Sequence, residues 1–158
     1  MDQRSLLLSF WEKEAPATRK VISRIPEGST YRPDPKSRKA SEIAWLIVRE
    51  EALLIDGLEE GRIAWEELPP PSTMKAILDE YDRLHANLAQ RFQTLHVAAW
   101  ERQVPFVFGD QEIMRETGYA NAWGFLFDIV HHRGQLATYL RPMGSTVPQI
   151  YGPSADEP

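Results

Sequence analysis

The residues of this 158-residue chain whose types and spacing could do chemistry lie in Phe127-Asp-Ile-Val-His-His-Arg-Gly-Gln-Leu136. In a helix, Asp128 and His132 stand four apart and project from one face, a turn from each other. Gln135 and Tyr139 continue that line. A carboxylate and an imidazole so placed on an inward face can ligate one divalent metal. The same spacing also suits a surface Asp–His pair worth roughly a few tenths of a kcal/mol. Gly134, beside His132, costs a helix about 1 kcal/mol relative to alanine, which suggests that a backbone or a ligand comes close there. His131 points about 100° away from His132, so the two do not enter one small site without distortion.

Four helical segments would position these side chains. The first is expected from about Asp2 to Ile25, with Leu6, Leu7, Phe10, Trp11, Val21 and Ile22 on one stripe and a kink or break at Pro16. The second should start near Ser37, carry Ile43, Leu46, Ile47, Leu53 and Leu54, and end at a C-cap Gly57. Leu58 to Pro71 is an acidic, proline-closed linker whose Trp65 is expected to fold back as a cap. The third helix, capped by Ser72, repeats Met74, Ile77, Leu78, Tyr81, Leu84, Leu88 and Phe92 at a 3.6 period and should end near Ala99. Between Trp100 and Gly118, Val104–Phe108 is strand-like and Gly109-Asp110 is a turn signal, enough for a short extended piece but not for an independent sheet. The fourth helix should span about Ala120 to Met143, ahead of a proline-punctuated C-terminal tail. The expected architecture is one all-α domain over residues 1–158, a four-helix bundle with irregular connections.

Composition narrows the chemistry by exclusion. With no cysteine, thiol nucleophiles, zinc–thiolate sites and disulfides are ruled out, which fits a cytoplasmic protein. A net charge of −5 with no basic stripe argues against nucleic acid as a partner, and no apolar run is long enough for a membrane span. Glu50-Glu51 and Glu59-Glu60 read as solvated charge, with Glu50 alone worth testing. Trp11, Trp45, Trp65, Trp100 and Trp123 read as packing residues.

The block His131-His-Arg-Gly-Gln-Leu-Ala-Thr-Tyr-Leu-Arg-Pro-Met-Gly144, with Val147-Pro-Gln-Ile-Tyr-Gly-Pro-Ser154 behind it, resembles the last helix and tail of DinB-like (DinB/YfiT) proteins. Ala40–Glu50 is similar to the second helix of that family. The resemblance implies an up-down-down-up four-helix bundle, often a homodimer. It also implies a nickel or zinc site made by three side chains, usually histidines, two on the last helix and one on the second. His132 matches one ligand of the last helix, and Asp128 stands where the other would be. At the second-helix position this chain has Leu46, which cannot bind metal.

Three outcomes follow from that departure. Glu50 or Glu42, each a turn from Leu46, could supply an oxygen. His131 or the third-helix His85 could complete a rearranged site. Otherwise the metal is weak or absent and the pocket is a plain binding site. With an intact site, the resemblance implies a hydrolase, or a transferase joining a low-molecular-weight thiol to an electrophile. Asp128, His132 and Glu50 would then hold the metal, with Gln135 or Tyr139 orienting a ligand. With a degraded site it implies a non-catalytic protein that binds a small molecule or serves a stress response.

Overall fold

A computed structural model describes residues 1–158. Its long helices are α1 (Gln3–Ser23), α2 (Ala40–Glu60), α3 (Met74–Thr94) and α5 (Gly118–Leu140), with a short α4 (Val97–Glu101) between the last two. Strands β1 (Ile63–Trp65), β2 (Gln103–Phe108) and β3 (Gln111–Thr117) form one sheet in the order β1-β2-β3. The all-α expectation is therefore corrected: the molecule is helix-rich with a small sheet.

Each long helix starts where a side chain can take up free backbone donors. Asp2 accepts from Ser5 N at 2.8 Å, Thr73 from Ala76 N at 3.1 Å and Thr117 from Ala120 N at 3.2 Å. At the start of α2 the Glu42 carboxylate instead reaches back to Lys39 N, 2.7 Å away. The cap of α3 is thus Thr73, not Ser72. Helix α1 runs through Pro16 without a break.

The long helices pack in a ring. α1 touches α3 and α5, α2 touches the same two, and the diagonal pairs α1/α2 and α3/α5 make few contacts. The connections out of α1 and α3 therefore cross the ring. Leu7, Trp11, Ile47, Leu54, Ile77, Phe92, Leu126 and Leu136 meet at its centre, all but fully buried.

Gly57 does not end α2. The helix continues to Glu60 and is closed by Gly61, whose φ of +87° lies in the left-handed region. A Cβ on Gly57 would sit 2.4 Å from the Ile63 side chain, so its glycine lets β1 lie against α2. Trp65 accordingly sits in a strand, with the Arg49 guanidinium 5.4 Å above its ring.

β1 runs parallel to β2, pairing Ile63 with Phe106, and β2 runs antiparallel to β3 through the Gly109-Asp110 turn. Pro105 is tolerated in the central strand because β1 pairing begins only at Phe106, leaving no partner for the missing N–H. After the 3-10 turn Arg141–Met143 the chain has no further helix or strand.

Candidate functional site

Helices α2 and α5 lie against each other, and their facing surfaces bring together Glu50, Asp128 and His132. One ligand atom from each lies within 4.8 Å of the other two. The His132 Nε2 is 3.5 Å from Asp128 Oδ2 and 3.9 Å from Glu50 Oε1. Glu50 is only 3% exposed, and its Oε2 has no hydrogen-bond partner in the protein. A buried carboxylate oxygen without a donor is costly unless a proton or a cation reaches it.

The charges respond accordingly. Burial, reinforced by the Asp128 charge, pushes the Glu50 carboxyl well above the ordinary carboxylate range. The bond to His132 lowers Asp128. Burial opposes a charge on His132, but Asp128 and Gln135 outweigh it and raise the imidazole above its ordinary 6.5.

Gln135 bridges the two histidines. Its Oε1 is 3.0 Å from His132 Nδ1 and its Nε2 is 3.1 Å from His131 Nε2. With the amide oxygen on this side, His132 Nδ1–H donates to Gln135, and Nε2 is the nitrogen turned to the two carboxylates. That is the arrangement in which a neutral imidazole offers its lone pair to a metal while a neighbour holds the ring. An oxygen-rich set with one imidazole suits a divalent cation.

Glu50 and Asp128 of the triad line a cleft of about 730 Å³. Leu46 and Glu50 of α2 line one side, and Asn121, Phe125 and Asp128 of α5 the other; Phe106, Phe108, Ile113 and Met114 of the β2–β3 hairpin form a third wall. The 100–118 segment, which sequence patterning left irregular, thus builds the cleft. Its strand β3 escaped patterning because it is almost wholly exposed and lacks an apolar alternation.

The remaining candidates go elsewhere. Glu42 caps α2. His131 is an exposed residue at the cleft rim, its ring 5.2 Å from that of His132. His85 faces away from the cleft and meets Glu51, Nδ1 to Oε1 at 3.0 Å. Tyr139 is buried edge-on against Tyr31 with ring centres 5.4 Å apart, and is not part of the cleft wall. His96 caps α4 through Ala98 N. Nothing lies within 4 Å of where a Cβ on Gly134 would stand, so no neighbouring backbone comes close there.

Two buried polar clusters were not foreseen. Glu51, read as solvated, is 1% exposed and accepts from Trp11 Nε1 at 3.0 Å as well as from His85. Arg133, inside the motif, is 2% exposed and turns away from the triad to Glu14, Nη1 to Oε2 at 2.7 Å. From the C-terminal segment, the Tyr151 hydroxyl accepts from Arg133 Nη2 and donates to Glu14 Oε2 at 2.8 Å. The signal was present in the motif itself: Arg133 follows His132 by one residue and so must face another side of the helix.

A helical protein with a carboxylate–carboxylate–imidazole triad beneath a hairpin-walled cleft is the class that these features define. The model of the DinB family matches residues 1–158, and the chain belongs to that family. It is 27% identical over 157 residues to the Bacillus subtilis (strain 168) protein described as uncharacterized protein YrdA, covering 95% of this chain and 89% of that one. In fold it is similar to the crystal structure of the DinB-like protein YjoA from Bacillus subtilis, with a TM-score of 0.73 at 18% identity over 93% of this chain and 99% of that one. It is similar also to a DinB-like protein from Bacillus cereus ATCC 10987, with a TM-score of 0.75 at 20% identity, covering 92% and 95% of the two chains. No helix is long and apolar enough to cross a membrane.

Proposed function

We propose that this DinB-family protein is a divalent-metal-dependent enzyme, a hydrolase or a transferase of a low-molecular-weight thiol, acting on a small apolar electrophile. Glu50, Asp128 and His132 would hold the cation, nickel or zinc by family resemblance. Glu50 stands one turn along α2 from Leu46 and supplies the donor that leucine cannot. The observation that carries this reading is the buried Glu50 Oε2, partnerless beside a second carboxylate and an imidazole whose Nε2 is turned to both. When bound, a divalent cation lowers the pKa of a ligated water or thiol and supplies a nucleophile near neutral pH.

The chain's own residues do the rest. Gln135 bonds His132 Nδ1 and so positions the imidazole ring. The apolar walls exclude water and accept the electrophile. Because the chain has no cysteine, any thiol must enter as a cosubstrate. An up-down-down-up helix course, a homodimeric state and a cytoplasmic setting complete the reading.

The test is turnover by protein loaded with nickel or zinc, offered a panel of activated esters and of thiol-plus-electrophile pairs. The expected result is turnover of one class that His132→Ala abolishes. Metal-loaded protein that turns over neither class would contradict it. The apolar cleft itself favours the second reading, a non-catalytic small-molecule carrier or stress-response protein, which that outcome would support.

A further inference from the structure

Asn121 stands out among the polar residues that line the cleft. It is 2% exposed, and its Nδ2 is committed to three carbonyls: Val104 O at 3.2 Å, Glu116 O at 3.1 Å and Thr117 O at 3.2 Å. Those three acceptors fix which end of the amide is nitrogen. They also account for only half of the side chain. The Oδ1 is buried and has no hydrogen-bond partner in the protein, although Asn121 forms part of the cleft wall. Tying the hairpin to the start of α5 needs the nitrogen alone, so that role leaves the oxygen unexplained.

The position along the helix adds a length. Asn121 precedes Asp128 by seven residues, two turns of one face, which separates them by about 10 Å. Gly124 lies between the two on the cleft floor, and nothing stands within 4 Å of where its Cβ would be. The floor is therefore open from the triad to Asn121, and Phe106 and Phe125, edge-on at 6.0 Å, wall the interval.

We propose that Asn121 is the recognition residue of this cleft: its Oδ1 accepts a hydrogen bond from a hydroxyl or N–H at the far end of an elongated, apolar, aromatic-sized substrate whose reacting end lies at Glu50, Asp128 and His132. This rests on reading the cleft as the substrate site. Gly124 sets the length that the site admits. A substrate that ends in an ether, or in a carboxylate that only accepts, leaves the buried Oδ1 unpaired and is discriminated against.

The test uses two probes of nearly equal size, 4-hydroxybiphenyl and 4-methoxybiphenyl, titrated calorimetrically into full-length, chelator-treated protein. Working without metal separates this test from the proposed enzymatic activity, which can fail while the probe preference stands. The phenol is expected to bind about tenfold more tightly than the ether. Gly124→Leu should weaken phenol binding at least tenfold while leaving uptake of added nickel or zinc unchanged. Asn121→Leu should erase the preference; because it also removes the hairpin ties, a crystal structure of the wild-type protein with the phenol provides an independent readout. That structure should place the hydroxyl within hydrogen-bond distance of Asn121 Oδ1. Equal binding of the two probes, binding of neither, unimpaired phenol binding by Gly124→Leu, or a phenol seated away from Asn121 would each overturn the proposal.

Discussion

Glu50 and Glu51 are neighbours in sequence and both buried, yet they belong to opposite kinds of environment. Glu51 points into the helix ring, where Trp11 and His85 donate to it. Glu50 points to the cleft, beside Asp128, with one oxygen unpaired. A buried charge that is fully hydrogen-bonded is tolerated, and the fold loses much when one partner is removed, whereas one left in a like-charged cluster lowers stability and persists where something else is bound there. The Arg133–Glu14–Tyr151 cluster is of the first kind and the triad of the second. A single motif on α5 supplies both, because His132 and Arg133 leave the helix on different sides.

The difference can be tested by breaking each cluster in turn. The largest effect is expected from Arg133→Met, which strands Glu14 in the interior and should cost about 3–5 kcal/mol in urea denaturation. A loss below about 1 kcal/mol would show that the pair is not structural. Next comes the direct contrast of the two glutamates. Glu51→Ala removes an acceptor from two donors and should cost about 1–3 kcal/mol. Glu50→Gln relieves the crowding of carboxylates and should leave the metal-free protein no less stable, or more stable by up to about 1 kcal/mol. If the two losses were equal, the distinction between the clusters would fail.

The smallest effect concerns pH. Burial opposes the charge on His85, but its bond to Glu51 prevails and raises its pKa above the ordinary 6.5. The stability this contributes is complete below the unfolded value of about 6.5 and is lost as pH rises through the folded value. His85→Gln should flatten the fall in stability above neutral pH, seen in denaturation midpoints between pH 6 and 9. An unchanged slope would remove His85 from the account.

Much of the helical framework was legible, since Met74, Ile77, Tyr81, Leu88 and Phe92 repeat at the helical period and all prove buried. Two triad members were legible for a similar reason: i, i+4 spacing within one helix is a local property. Glu50 could be named only because Leu46 stands one turn before it. The sheet was not legible, because β1 has three residues and pairs with residues some forty positions on. Glu51 looked solvated because charge pairs on helices usually are, and only the tertiary partners Trp11 and His85 reverse that. Asn121 could have been noticed from its place on the Asp128 face, seven residues earlier, but its orphaned oxygen depends on carbonyls that the hairpin brings in.

The central claim is that Glu50 serves as the ligand that Leu46 cannot be. Elemental analysis of untagged protein purified without chelator tests it, comparing wild type, Glu50→Gln, His132→Ala and Leu46→His/Glu50→Gln. About one equivalent of nickel or zinc in the wild type, lost in both single variants and recovered with Leu46→His, is the expected result. Metal retained by Glu50→Gln, or a wild type that holds none and takes up none when nickel or zinc is added, would contradict it.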